Sequence, residues 1–350
     1  MTPNLFAIAT GELSQDGFFT WLLQWADDSH RFHNEALNET AKDFIRLLLG
    51  KPSDYAIHNV KAGRQWNSID IWAEIDDEYF IVIEDKTNTG EHSKQLERYK
   101  QIAEDHQKTK NYKLVLVYLK TGNESLSTLK TITEKGYSTI GRKSVLEVLN
   151  RRPFTSEILG NFVHYLSAIE QQTSSYVKFE NVTSEWKAAE GFYVKLQESI
   201  AEWTDWRYVS TPTGGFLGFW YYWQGTKEIE EIYIQIENSF EFGGIRLVIK
   251  IGSWEKSTQT LYRLLGAITP FAINNGLSIV KPDKFRAGET STLAIVKDAF
   301  KVDSIGGLDL DLFLKTLRQL EKTLDDYCEH KSQSELVSGV QATIDSQPSS

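Results

Sequence analysis

The 350-residue sequence predicts an α/β core over residues 1–170 and an α+β domain with an antiparallel sheet over 171–330. Three observations carry this reading. Strand-like and helix-like segments alternate from about residue 56 to 169, as in α/β cores. The composition shifts beyond QQTSSY (171–176), the expected linker, after which six of the ten tryptophans fall. Residues 68–99, SIDIWAEIDDEYFIVIEDKTNTGEHSKQLERY, carry two acids and an amine in a pattern that implies a hairpin.

Segments near 17–26 and 34–49 carry leucine and phenylalanine at helical spacing. A strand near 56–62 precedes the hairpin. Residues 69–75 alternate Ile69, Ile71, Ala73 and Ile75 with Asp70, Trp72 and Glu74, a strand with two unlike faces. Residues 79–86 (YFIVIEDK) are β-branched and aromatic, the next strand, and Asp76-Asp77-Glu78 is the turn between them. Residues 93–107 read as a helix with Ser93 as N-cap, KLVLVYL (113–119) as a buried strand, and 137–140 as a short strand. Helices follow at 143–149 and 156–169. In the second domain a helix from Trp186 to Trp203 precedes strands at 206–211, 216–223, 229–236 and 244–251. Gly214-Gly215 and Gly243-Gly244 are read as turns, and helices near 256–274 and 308–329 close the domain. The aromatic strand FLGFWYYW (216–223) is read as packed on both faces rather than as a base-stacking platform. Residues 331–350 read as a disordered tail.

The hairpin has a chemical consequence. A three-residue turn centred on Asp77 sets Asp70 opposite Glu84, and facing residues of an antiparallel pair lie roughly 4.5–5.5 Å apart. Glu84 and Lys86, two apart on one strand, leave by the same face. Two carboxylates and an ammonium therefore converge. Paired carboxylates suit a hard divalent cation, Mg²⁺ or Mn²⁺, which can polarise a phosphoryl oxygen and acidify a water. A lysine beside them can orient that water and offset charge in the transition state. Opposed charges on a plain solvated hairpin look the same in one dimension. The buried character of IVIE before Asp85, the helix bearing Gln95 and Tyr99 four apart on one face, and the upstream acids Glu12 and Asp16 favour a site.

Asp70, then Glu84-Asp85-Lys86, then Gln95-Leu96-Glu97-Arg98-Tyr99 resembles the PD-(D/E)xK nuclease superfamily, with a QxxxY element similar to its RecB-type branch. The opening GELSQDGFFTWLLQWAD and the FIRLLL helix resemble a bacterial nuclease-like family of that superfamily. The resemblance covers about residues 10–150. It implies a restriction-endonuclease-like core, a mixed central sheet flanked by helices. It further implies that Asp70, Glu84 and the Asp85 carbonyl bind metal, that Lys86 assists the water, and that Glu12 is the first-helix acid, with Asp16 competing for that role. Gln95 and Tyr99, with Lys94 and Arg98 beside them, would position the nucleic acid backbone. Ile69, not proline, precedes Asp70. The implied activity is a Mg²⁺- or Mn²⁺-dependent deoxyribonuclease, endonucleolytic rather than exonucleolytic, in antiviral defence or DNA processing. The alternative is a non-catalytic binding or assembly module on the same fold.

Net charge is −10, yet residues 50–152 carry 17 Lys and Arg against 15 Asp and Glu. The resemblance implies a nucleic-acid partner, DNA in preference to RNA, and the charge balance excludes a strongly basic binding surface. Lys94, Arg98, Lys100, Lys108, Lys110, Arg142, Lys143, Arg151 and Arg152 are candidate phosphate contacts. A homo-oligomer or a partner protein is expected to engage the C-terminal domain. Cys328 is the one cysteine, so no intramolecular disulfide forms and a cytoplasmic location is expected. No apolar run is long enough for a membrane span, and no signal peptide is read at the start. Zinc spacing among the histidines, a Walker loop and a dinucleotide fingerprint are all missing from the sequence.

Overall fold

A computed structural model describes residues 3–88, 94–211, 214–239 and 244–345, with side chains through 334. The chain divides into two compact units, Met1–Ser174 and Ser175–Ser350.

In the first unit α1 (Leu5–Ile8), α2 (Glu12–Trp25) and α3 (Glu35–Leu49) precede the hairpin strands β1 (Val60–Trp66), β2 (Ile69–Ile75) and β3 (Tyr79–Lys86). Then come α4 (Gln95–Lys110), β4 (Lys113–Lys120), α5 (Leu126–Glu134), β5 (Ser138–Gly141), α6 (Arg142–Leu149) and α7 (Glu157–Ser174). The sheet order is β1-β2-β3-β4-β5. β1, β2 and β3 pair antiparallel, and β3, β4 and β5 pair parallel. This is the expected mixed sheet. β3 lies at its centre with all eight residues buried, which is why its sequence is a continuous apolar run up to Glu84. On one face Ile71, Ala73, Ile81, Ile83, Val117 and Leu119 pack against phenylalanines and leucines of α2, α3 and α7. On the other, Phe80, Val82, Leu116 and Tyr118 pack against Leu96, Tyr99 and Ala103 of α4 and Ile132 of α5. Helices thus cover both faces, and the polar residues ending β3 and β4 stay buried beside them.

The turn behaves as its sequence suggests. Ile75 pairs with Tyr79, so the loop is residues 76–78, and Asp76 and Asp77 take left-handed backbone angles (φ 51° and 52°). Aspartate tolerates that region, and the Asp76 carboxylate also accepts hydrogen bonds from the backbone N–H groups of His58 (3.0 Å) and Asn59 (2.7 Å).

In the second unit α8 (Phe179–Ser184) and α9 (Trp186–Ser199) precede β6 (Thr204–Thr211), β7 (Gly214–Gln224), β8 (Ile229–Ser239) and β9 (Gly244–Trp254). α10 (Thr258–Asn274), β10 (Ile279–Val280), β11 (Thr290–Val296) and α11 (Leu310–Asp345) follow. The sheet is antiparallel throughout, in the order β10-β11-β9-β8-β7-β6. Leu217, Phe219 and Tyr221 of the aromatic strand enter a core shared with α9, α10 and α11, while Phe216 and Trp220 are half-buried on the opposite face. The strand is therefore packed fully on one face only.

Four further expectations change. Residues 171–174 complete α7 rather than open a linker, because the glutamines, threonine and serine there do not interrupt a helix already propagating. Gly214 and Gly215 start β7 instead of forming its turn, the Tyr208 ring lying where a Gly215 side chain would go. α11 continues to Asp345 where a disordered tail was expected from 331, since no proline or glycine pair stops it, and 346–350 lie outside the described residues. α4 begins at Gln95 with Lys94 as its cap, and Ser93 lies outside the described residues, as does Gly243. Cys328 is buried in α11, and burial pushes its thiol up to about 11, which disfavours the thiolate. Among the described residues no helix is long and apolar enough to cross a membrane.

Candidate active site

Pairing from Ile75–Tyr79 to Ile71–Ile83 sets the register of the β2–β3 hairpin, and one further step brings Asp70 opposite Glu84. Lys86 closes the group. Its Nζ is 2.5 Å from Glu84 Oε1 and 3.8 Å from Asp70 Oδ2. The Asp85 backbone N–H donates to Asp70 Oδ2 over 3.3 Å, holding that carboxylate against β3. Glu84 is 1 % exposed, and among the described residues its buried Oε2 has no hydrogen-bond donor. Burial, with the Asp70 charge adding to it, pushes the Glu84 carboxyl up to about 8 despite the opposing pull of Lys86. Burial works against the Lys86 ammonium, but Glu84 and Asp70 outweigh it and hold its pKa above the usual lysine value.

α2 delivers two acids to different depths. Glu12, in its first turn, accepts the Thr87 backbone N–H (3.2 Å) at the end of β3, and its charge reaches Lys86. Asp16, one turn deeper, lies against Asp85, and burial followed by the Asp70 charge raises its pKa to about 6. The Asp85 side chain points away from Glu84, as alternation along a strand requires. It accepts from Gln15 Nε2 (2.6 Å), and burial, then the Asp16 charge, hold it well above the usual carboxylate range. Gln15 in turn accepts from Thr121 Oγ1 (2.7 Å) at the end of β4. Sequence reasoning missed Gln15 and Thr121. Gln15 had a signal, since it follows Glu12 at helical spacing; Thr121 had none.

α4 presents Gln95 and Tyr99 together. Gln95 Nε2 donates to Tyr99 Oη over 2.8 Å, and Tyr99 is close enough to feel the charges of Glu84 and Asp70. Burial leads these in holding its phenol above the usual value. Lys94 and Arg98 are exposed on the same first turns, with the Arg98 guanidinium 5.3 Å from the Tyr99 ring centroid.

The remaining basic candidates separate by environment. Lys110 is exposed, while Lys108 pairs with Asp105, Lys143 with Glu170 and Arg151 with Glu147 at the surface. Lys100 donates to the Lys135 carbonyl, and Arg152 pairs with the buried Asp43. Arg142 is no phosphate contact. It is 5 % exposed and donates to Glu170 Oε2 (2.9 Å), the Thr121 carbonyl (2.6 Å), Asn123 Oδ1 (2.9 Å) and Thr173 Oγ1 (3.1 Å). Arg142→Met is expected to destabilise the protein by about 1–3 kcal/mol, because the Thr121 carbonyl loses a buried donor while Glu170 keeps Lys143. Urea unfolding measures this, and the salt dependence of oligonucleotide binding should stay unchanged.

Among the described residues no three His, Cys, Asp or Glu side chains are grouped to hold a metal ion. The donor set is a carboxylate pair, Asp70 and Glu84, which is what Mg²⁺ commonly takes from a protein besides water and phosphate oxygens. The donorless Glu84 Oε2, in a carboxyl group that burial makes costly to ionise, fits a divalent cation there.

A family model described as PD-(D/E)XK nuclease superfamily matches residues 3–190, more than half of the chain. No curated protein and no solved structure gave a match.

Proposed function

This chain belongs to the PD-(D/E)XK nuclease superfamily, and we propose that it is a Mg²⁺- or Mn²⁺-dependent deoxyribonuclease cutting internal phosphodiester bonds. The observation that carries the reading is the convergence of Asp70, Glu84 and Lys86, with the Lys86 Nζ 2.5 Å and 3.8 Å from the two carboxylates. Asp70 and Glu84, with the Asp85 carbonyl, would hold the cation, which when bound acidifies water and offsets phosphoryl charge. Lys86 orients the attacking water and stabilises charge that develops as the bond to phosphorus forms. Glu12 serves as the first-helix acid, tying the end of β3 through Thr87 and facing Lys86, while Asp16 supports Asp85 from behind. Gln95, paired with Tyr99, positions the scissile backbone, in the manner of the RecB-type branch, and Lys94 and Arg98 add sequence-independent phosphate affinity.

The second unit is assigned to targeting or assembly, with a partner protein or a second copy. Its exposed aromatics Trp203, Tyr208 and Trp223 support that role. The defence or DNA-processing context is assigned on the family resemblance alone.

The test is cleavage of duplex DNA, single-stranded DNA and RNA by the full chain with Mg²⁺, Mn²⁺ or EDTA. Metal-dependent cutting of DNA is expected, with Asp70→Asn inactive yet folded. Binding without cutting in either metal would favour the non-catalytic module instead.

A further inference from the structure

A second lysine stands beside the first. β3 and β4 run parallel in a register that pairs Glu84 with Tyr118 and Lys86 with Lys120. Paired residues on parallel neighbours leave the sheet by the same face, with strands roughly 4.8 Å apart. Lys120 therefore follows Tyr118 on the face that carries Glu84 and Lys86. It lies as deep as Lys86, 4 % exposed against 5 %. Its Nζ is 3.4 Å from Glu124 Oε2.

Lysines are seldom this buried, and two on adjacent strands repel unless anions lie between or beside them. Both sit at the carboxyl ends of parallel strands, the place where open α/β sheets receive ligands. The neighbouring backbone is held firmly. The Thr121 N–H donates to the Lys86 carbonyl (3.1 Å), and Arg142 holds the Thr121 carbonyl. A Cβ on Gly122 would lie only 1.9 Å from the Thr87 carbonyl oxygen, so the strand ends touch through their main chains. Backbone geometry thereby fixes the Cα of Lys120 next to that of Lys86, and the Lys120 side chain is paired with Glu124.

We infer that Lys120 is a second phosphate-binding residue of this site, contacting a non-bridging oxygen of the phosphodiester that Lys86 and the carboxylates act on. This rests on the nuclease reading above. Lys86 serves the attacking water, and Lys120 serves the phosphoryl group, a split that a single ammonium cannot perform for both.

The experiment compares full-length wild type, Lys120→Met, Lys120→Arg and Glu124→Gln. It measures steady-state cleavage of a duplex in Mn²⁺, binding of a fluorescent oligonucleotide in Ca²⁺ across salt concentrations, Mn²⁺ affinity and thermal melting. Lys120→Met should lower kcat about 10²-fold, leave Mn²⁺ affinity within about twofold, and reduce the salt slope of binding by about one. Lys120→Arg should keep that slope, and Glu124→Gln should keep the rate. Wild-type rate and slope in Lys120→Met would overturn the assignment. So would equal losses of rate and melting temperature in Lys120→Met and Glu124→Gln, which mark a purely structural ion pair. If the wild type cuts nothing, the nuclease reading falls. In that case a reduced slope in Lys120→Met still supports the phosphate contact, and an unchanged slope overturns it.

Discussion

Glu84→Gln is expected to abolish metal-dependent cleavage and, without metal, to make the protein more stable. The side chain is 1 % exposed, and burial first, then Asp70, raise its carboxyl to about 8 from an ordinary 4.5. A folded-state pKa above the unfolded one means stability that is complete below about pH 4.5 and lost as pH rises toward 8. At pH 8 the wild type carries the cost of that buried charge, and an amide of the same shape does not. Lys86 retains Asp70 as its counter-charge. The expected gain is about 1–3 kcal/mol, visible as a melting temperature higher by roughly 3–9 °C. The gain should shrink as pH falls toward 4.5. Mn²⁺ should raise the melting temperature of wild type by more than that of the variant, because an amide oxygen beside Asp70 ligates more weakly than a carboxylate. A variant less stable than wild type at pH 8, or one stabilised by Mn²⁺ as much as wild type, refutes the assignment of Glu84.

Lys86→Met is expected to lose about 10²–10⁴-fold in kcat while binding Mn²⁺ at least as tightly as wild type. The ammonium lies 2.5 Å from Glu84 Oε1, so it opposes any second cation drawn to that carboxylate. Removing it should help the metal and harm the chemistry, opposite signs that loss of fold cannot produce together. Without metal the variant should melt lower, since Glu84 and Asp70 then face each other uncompensated. Lys86→Arg should be equally inactive, because a planar fork cannot take the place of a compact ammonium held 2.5 Å from Glu84 and 3.8 Å from Asp70. Calorimetric Mn²⁺ binding and single-turnover cleavage check both halves. Weaker binding in Lys86→Met would show that the lysine shapes the metal site instead of acting on the reaction.

The hairpin was legible because two local rules determine it: turn length sets the register, and alternation sets the face. Asp70, Glu84 and Lys86 needed nothing else. The Gln95–Tyr99 pair was legible for the same reason, as a helix brings residues four apart together. What depended on a third strand or on burial was not. Lys120 ends an apolar run and reads as its polar terminus, since the register between parallel strands separated by a helix leaves no trace in one sequence. Arg142 was read as a candidate phosphate contact because an arginine in a buried network and one on a basic patch are written with the same letter. α5 escaped because LSTLKTITE is rich in threonine and buries fully only Ile132, although Ser125 caps it through the Thr128 N–H and was there to be seen. The two acids of α2 were found, but their depths were not, because Glu12 and Asp16 share a helix face and differ only in how far along it the sheet begins.

The main-chain contact between Gly122 and Thr87 has a bearing on how this site can change over generations. Its chemistry-bearing positions are held by strand ends whose spacing side chains hardly influence. Replacements on the outer surfaces of α2 or α4 leave that spacing untouched. A single methyl group at 122 does not, since it would push apart the two strand ends that place both lysines. Change is thus constrained at a glycine that brings no side chain to the site.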